Sequence, residues 1–143
     1  RDRVLRREPQ PMKVRKLFES RLAAWAATKG IDVAWENAHY TPGDVTYLRA
    51  FLLRGATTSR DMAGTNRHRV GVFQVNVVAP LGSGPGAAEA IGEEICTLFP
   101  AQLRLTDSAF TVIVTQPMAL ASGIAGDDRY TVPVSCRYLS DHY

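Results

Sequence analysis

The alternation of apolar and polar residues in the segment "RYTVPVSCRYL" (129–139) places the strongest constraint on the fold of this 143-residue chain. A period of two residues is typical of a β-strand with one buried face. The apolar face would carry Tyr130, Val132, Val134, Cys136 and Tyr138. We therefore predict a strand here. Pro133 within it favours an edge position or a bulge, because proline donates no backbone hydrogen bond.

The other periodic segments fall into two groups: some repeat every two residues, as strands do, and others show the spacing of a helix. Strands are predicted at 31–36, 45–53, 70–80, 103–105 and 110–116. Helices are predicted at 13–29 and at 85–99, with buried stripes made of Val14, Phe18, Leu22 and Trp25 in the first and Ala87, Ile91, Ile95 and Leu98 in the second. Strand and helix do not alternate regularly. The prediction is therefore an α+β fold, a mainly antiparallel mixed sheet with two helices packed on one face.

Residues 54–69, "RGATTSRDMAGTNRHR", are polar and lack any period between two predicted strands. We predict a hairpin with a long structureless loop, in which Gly55 and Gly64 give flexibility. A loop of this length is either functional or a solvated connection. The residues that we predict to contact a neighbouring subunit or a partner are Arg54, Arg60, Met62, Arg67, His68 and Arg69.

Positive charge is concentrated at the start of the chain. The net charge of the whole chain is +3, but residues 1–16 hold seven Arg and Lys against two acidic residues, so the remainder carries −2. We predict a basic flexible arm over 1–12, followed by a single domain over 13–143. The arm is either a solvated tail or a contact for nucleic acid or another partner. The candidate contact residues are Arg3, Arg6, Arg7 and Lys13.

The glycine-rich stretch "LGSGPG" (81–86) raises the possibility of a cofactor site, because Gly82 and Gly84 follow a strand and precede a helix. Helix N-termini attract phosphate groups. However, no acidic residue follows at the spacing that holds a ribose, and Pro85 removes one N–H donor. We predict that Gly82, Gly84, Pro85 and Gly86 form a structural turn, with nucleotide or phosphate binding as the alternative.

Neither the cysteines nor the other reactive side chains form a recognisable catalytic or metal-binding motif. Cys96 and Cys136 are far apart and are expected to be buried free thiols, and the three histidines are scattered. No apolar run approaches the length of about 20 residues that spans a membrane. The sequence thus predicts a non-enzymatic protein with no cofactor, no bound metal and no membrane partner.

Several blocks of the sequence resemble a known family. They are "RLAAWAATKGIDVAWEN", "YTPGDVTYLRAFLL", "GVFQVNVVAPLGSGPGAAEAIGEEICTLFP" and "YTVPVSCRYL", which together cover about residues 13–139. In these blocks the chain resembles the small tail terminator proteins of tailed phages and prophages, which are related in fold to the lambda-type tail terminator. The segment before Met12 is not part of this pattern.

The resemblance implies a structural role in the virion. Proteins of this family form a hexameric ring that caps the head-proximal end of the tail tube, stops its polymerisation and offers a docking surface to the head–tail connector. The implied partners are other copies of the chain, the tail tube protein and the connector. DNA would pass through the channel without specific binding, and assembly would take place in the host cytoplasm.

Two kinds of alternative stay open at this point. Within the same class, the chain could be another neck, head–tail joining or tail tube component. In other classes, it could bind a nucleotide through the 82–86 turn, or bind nucleic acid through the basic arm and the 54–69 loop.

Overall fold

The computed structural model describes residues 10–58, 62, 64, 67–82, 84–107, 110–126 and 128–142. Two helices and seven strands lie within these residues. The helices are α1 (Gln10–Lys29) and α2 (Gly86–Leu98). The strands are β1 (Val33–Ala34), β2 (Tyr47–Thr58), β3 (Arg67–Pro80), β4 (Arg104–Asp107), β5 (Phe110–Leu120), β6 (Ile124–Ala125) and β7 (Arg129–His142).

These strands form one sheet in the order β1-β2-β3-β7-β5-β4, and β6 pairs with β7 beside that path. The β1–β2 pair is parallel and the others are antiparallel. The predicted α+β class and the mainly antiparallel mixed sheet are confirmed. The protein nevertheless consists mostly of sheet, to a greater extent than the predicted helix-packed arrangement.

The pair β3–β7 forms the centre of the sheet. Its register is unbroken from Arg67 opposite His142 to Pro80 opposite Arg129. Alternate side chains of both strands, including Phe73, Val75 and Val134, are fully buried on one face, which we call the inner face. This alternation matches the period of two seen in the sequence.

Helix α1 covers the inner face through a ladder of residues four apart. Val14, Phe18, Leu22 and Ala26 are buried, whereas Trp25 is only half-buried. The Phe18 ring stacks on Phe73 with a centroid distance of 4.8 Å. It also contacts the rings of Phe99 and Tyr138. The helix ends as predicted, since Gly30 follows with a positive φ of 69°.

Helix α2 packs on the sheet through a stripe that matches the predicted one only at Ile95. Ala88, Gly92 and Ile95 are buried, while Ala87 is exposed and Ile91 is half-buried. A Cβ atom on Gly92 would lie 3.3 Å from side-chain atoms of Leu120 and Val134. The missing side chain therefore lets the helix approach the sheet closely, which a count of apolar residues does not detect.

Strand boundaries differ from the predictions at several places. The first strand is shorter than the predicted 31–36, and α1 begins at Gln10, inside the predicted arm over 1–12. The predicted loop over 54–69 is wrong at both ends, because β2 continues to Thr58 and β3 begins at Arg67. Cross-strand pairing, and not burial of one face, stabilises these ends of β2 and β3. The sequence of these ends therefore shows no alternation of apolar and polar residues.

The predicted edge position of Pro133 is also wrong, because β7 lies between β3 and β5. The Pro133 carbonyl accepts a hydrogen bond from the Ala121 N–H at 2.8 Å. In a strand, the N–H and C=O of one residue point to the same side, so the missing N–H faces the break between β5 and β6. Proline is tolerated here because that ladder is already interrupted.

We predict that Phe18→Ala destabilises the fold by about 3–5 kcal/mol, the range for removing a large aromatic side chain from a packed core. Urea unfolding followed by circular dichroism measures the change. Ala24→Ser, at an exposed position of the same helix, serves as the control. A loss below about 1 kcal/mol for Phe18→Ala would show that the three-ring contact does not hold α1 to the sheet.

Candidate interaction surface

Among the described residues, those that cover the outer face, the face of the sheet opposite the helices, lie at one of its ends. Tyr47, Val78 and Ala34 form a small buried cluster there, and the Tyr40 ring packs on Tyr47 at a centroid distance of 4.9 Å. Tyr40 belongs to the segment between β1 and β2, so this connection shields that end. Towards the other end of β2 and β3, apolar side chains emerge into solvent.

A groove of about 510 Å³ occupies the uncovered end of the outer face. Its apolar lining is provided by Leu53, Val70, Val72 and Leu139, which come from β2, β3 and β7. Leu53 is 48% exposed and Val70 is 39% exposed. Large exposed apolar side chains that adjoin one another are typical of interaction sites. We refer to this surface as the outer groove.

The side chains that border the outer groove are basic. Arg137 is exposed and His68 is half-buried, and both share the outer-face register of Val70. Arg54 also lines the groove, but it lies opposite Gly71 on the inner-face register, near Tyr138. The residues that line the groove include no Asp or Glu. The combination of an apolar floor and a positive border suits an apolar partner surface that carries acidic residues.

A β-bulge shapes the groove. Arg54 pairs with Gly71 and Thr57 pairs with Arg69, so β2 has one more residue than β3 between these pairs. A Cβ atom on Gly55 would lie 3.0 Å from the Val70 carbonyl oxygen. Gly55 is thus required for close packing in a bulge, and the prediction that it gives a loop flexibility is wrong.

Gly71 also allows a close approach. A Cβ atom there would lie 2.5 Å from the Tyr138 hydroxyl oxygen and 2.6 Å from the Leu53 carbonyl oxygen. Tyr138 therefore lies directly over the β3 backbone on the inner face. Burial raises the pKa of Tyr138, although Arg54, Arg15 and Arg69 lower it in part.

The free edge of β2 is blocked where β1 no longer pairs with it. Glu36 Oε1 accepts hydrogen bonds from the Leu52 N–H at 2.7 Å and from Arg15 Nη1 at 2.8 Å. Burial raises the pKa of Glu36, but these two bonds and the Arg15 charge outweigh it and lower the pKa overall. A charged side chain and a bulge on an edge strand both oppose pairing with another strand. The outer groove, and not the β2 edge, is thus the open surface.

The predicted contact residues of the 54–69 segment lie in different settings. Arg54 and His68 both line the outer groove, and Arg69 lies next to His68 on β3. Met62 is fully exposed. The backbone of Arg67 begins β3, and Arg60 lies outside the described residues.

Of the predicted arm residues, Lys13 is described and lies in α1, where its ammonium group is 5.9 Å from the centroid of the Phe110 ring. The other three, Arg3, Arg6 and Arg7, lie outside the described residues. The structure therefore places one of the four arm residues against the folded domain.

The glycine turn forms a corner between β3 and α2. Gly82 and Gly84 have positive φ values of 91° and 79°, which strongly favour glycine. Pro85 is the N-cap of α2 and Gly86 is its first residue, so the predicted helix start at Pro85 is one residue early. The adjacent pocket is lined by Leu81, Gly82, Gly84, Pro85 and Tyr130. This lining offers a phosphate no cationic side chain.

The described residues show little of the chemistry that catalysis needs. Among them, no three His, Cys, Asp or Glu side chains are grouped so as to hold a metal ion. Burial raises the pKa of Cys136 to about 12, which keeps its thiol protonated near neutral pH. Cys96 is half-buried, and not buried as predicted. No helix within the described ranges is long and apolar enough to cross a membrane.

Sequence reasoning did not identify the outer groove as a site. Leu53 and Leu139 fall in predicted strands, whereas the predicted contact residues lie in polar segments. One signal was present: the strand over 45–53 is apolar on both faces in its second half, which indicates contact on its second face. The period of two does not determine which other strands contribute residues to this second face of the 45–53 strand.

Comparison with known proteins gives four results. The profile of the phage tail terminator protein family matches residues 13–138. A solved structure of a protein without a functional name is 41% identical, with 91% of this chain and 94% of that chain covered and a TM-score of 0.77. A chain in the virion of a native gene transfer agent particle is 17% identical, with 87% of this chain and 91% of that chain covered and a TM-score of 0.62, which indicates a shared fold. No curated protein sequence matches significantly.

We predict that Glu36→Gln lowers stability at pH 7 by at most about 1 kcal/mol, because the ion pair with Arg15 is partly exposed. The pKa of Glu36 in the folded protein lies below its ordinary value of 4.5. Its stabilising effect is therefore present above about pH 4.5 and is lost as the pH falls through the folded-state pKa.

Urea unfolding at pH 7 and at pH 3 tests this prediction, with Glu93→Gln on the exposed side of α2 as the control. The difference between Glu36→Gln and the unaltered protein should shrink at pH 3. A difference that grows on acidification would contradict the assigned role of the carboxylate.

Thiol labelling provides a second check. We expect the folded protein to react with iodoacetamide at pH 8 at Cys96 only, and slowly, because burial protects Cys136 and raises the pKa of both thiols. Mass spectrometry with and without urea counts the labels. Labelling of Cys136 in the folded protein at the rate of Cys96 would show that the inner face opens readily.

Proposed function

This chain belongs to the phage tail terminator family, and from that premise we propose that it is a structural virion protein that forms a ring at the head-proximal end of a tail tube. The family match covers residues 13–138, almost the whole described domain. The similarity in fold to a component of a gene transfer agent particle supports a place in a virion. The single observation that carries the proposal is this family match.

We propose that the ring is a hexamer that stops polymerisation of the tube protein and offers its opposite surface to the head–tail connector. The outer groove supports an assembly role, because an apolar surface with exposed Leu53 and Val70 is stabilised when another protein covers it. A ring needs a contact between two different surfaces of the same subunit, repeated until it closes. The chain would assemble in the host cytoplasm and function in the virion.

DNA would pass through such a ring without being held. Tight binding of a duplex requires many phosphate contacts from Lys and Arg. Residues 17–143 carry a net charge of −2, which does not favour strong binding by the domain. The role of the basic arm as a contact for DNA or for a partner stays a prediction.

Two alternative functions agree with the structure to different extents. Another neck, head–tail joining or tube component would also expose apolar surfaces for assembly. A nucleotide-binding protein fits poorly, since the pocket beside Gly82 and Gly84 is lined by apolar and uncharged residues and Pro85 donates no hydrogen bond. The specific family match favours the terminator over both.

We predict that the chain, mixed with its cognate tail tube protein, forms sixfold rings at one end of short tubes and limits their length. Negative-stain imaging shows the rings, and native mass spectrometry counts the subunits. Tube protein alone, which should give longer tubes, is the control. Tubes of unchanged length without end rings would contradict the proposed function. Rings that stack along the tube would favour a tube component.

A further inference from the structure

We propose that a small pocket between the start of α1 and the neighbouring ends of β2 and β3 binds one carboxylate group, supplied by an Asp or Glu side chain of another protein molecule. The pocket has a volume of about 80 Å³. Its lining includes Val14 from α1, Arg54 and Thr57 from β2, Arg69 from β3 and Tyr138 from β7. We call it the inner pocket. This inference goes beyond the proposed ring and does not depend on it.

The strand register places the polar side chains of the inner pocket on one face of the sheet. Arg54 pairs with Gly71 and Gly71 pairs with Tyr138, so these residues form one row across three strands. Directly opposite residues share a face, and Tyr138 lies on the inner face. The next inner-face row contains Thr57 opposite Arg69. The two arginines and the two hydroxyl side chains therefore lie on the face that α1 covers.

Gly71 lets the Tyr138 hydroxyl approach Arg54. Because glycine has no side chain, the middle of the first row is open, and a Cβ atom there would lie 2.5 Å from the Tyr138 hydroxyl oxygen. The hydroxyl therefore lies over β3, between β7 and the Arg54 position on β2. The glycine thus brings a hydroxyl donor and a guanidinium group to the same pocket.

The electrostatic environment of the inner pocket is positive. The residues that line it include no Asp or Glu. Burial raises the pKa of Tyr138, and the charges of Arg54, Arg15 and Arg69 each lower it in part, which shows that three guanidinium groups act on this hydroxyl. Positive charge beside hydroxyl donors favours an anion, because charge-assisted hydrogen bonds are the strong ones.

The acidic side chain that acts on Arg54 is already bound elsewhere. This side chain is Glu36, whose Oε1 accepts hydrogen bonds from the Leu52 N–H at 2.7 Å and from Arg15 at 2.8 Å. These bonds hold the carboxylate at the β2 edge, outside the lining of the inner pocket. Within the described part of the chain, Arg54 forms no ion pair. Its guanidinium group can therefore bind a carboxylate from another molecule.

The size of the inner pocket selects a small group. One water molecule needs about 10–15 Å³ of such volume, so the pocket admits a group of a few atoms and excludes a nucleotide. A guanidinium group presents paired N–H donors that match a carboxylate, and the hydroxyl groups of Thr57 and Tyr138 add two donors. Arg54 and Thr57 are exposed, so the pocket is open at β2, where an acidic side chain can enter.

Titration of the full chain with sodium acetate at constant ionic strength, followed by two-dimensional ¹H–¹⁵N NMR, tests this site. Acetate should cause saturable shifts of the amide signals of Arg54, Gly55, Arg69 and Val70, with a Kd of about 1–10 mM, which is within the limit for so small a ligand. A short peptide with one Glu between glycines should shift the same signals. The matched peptide with Gln should not.

Variants identify the groups that bind the carboxylate. Arg54→Gln should weaken acetate binding about tenfold or more, and Tyr138→Phe should weaken it about threefold, because the first removes a charged donor and the second a neutral one. Arg137→Gln removes an exposed arginine from the outer face, so it is the matched control and should bind acetate normally. Circular dichroism verifies that each variant is folded.

Several outcomes would overturn the inference. The first is the absence of saturable shifts up to about 100 mM acetate, and the second is equal binding by Arg54→Gln and the unaltered chain. Binding of acetate but not of the Glu peptide would show a site for free ions, which does not receive a protein side chain. Inorganic phosphate that binds at least about tenfold more tightly than acetate would reassign the pocket to phosphate groups. Since the chain is tested alone, none of these results decides whether it forms a ring.

Discussion

The antiparallel pairing of β3 with β7 is the constraint on which the rest of the structure depends. Its register is continuous over the whole length of both strands. Since successive side chains of a strand point to opposite faces, this single register decides which residues of both strands form the core and which face outward. The inner-face side chains of Phe73 and Tyr138 then provide the surface on which Phe18 and α1 pack.

The two faces of this sheet have different roles. The inner face is closed by two helices and contains the largest fully buried side chains, among them Phe18, Phe73 and Phe99. The outer face is covered near Tyr47 and is open near Leu53 and Val70. A protein that acts through assembly needs this asymmetry, because one apolar layer stabilises the fold and the other stays available to a partner.

Sequence reasoning succeeded where local chemistry was decisive. The helix end at Gly30 was predicted correctly, because a left-handed residue after a helix strongly favours glycine. It failed where contacts with residues distant in the sequence determine the local structure. Pro133 appeared to require an edge strand or a bulge, but the gap between β5 and β6 provides a place for it within a central strand. The polar ends of β2 and β3 gave no periodic signal, although pairing makes them strand.

By itself the sequence determined the strand and helix periods, the α+β class and, through its resemblance to tail terminators, the family. These features depend on residues close together in the chain or on motifs within continuous blocks. Only the tertiary structure decided that Leu53, Val70 and Leu139 share one open groove. The reason is physical: the groove exists only because β2, β3 and β7 lie side by side in a fixed register, and the pattern of one strand does not specify which distant strand pairs with it.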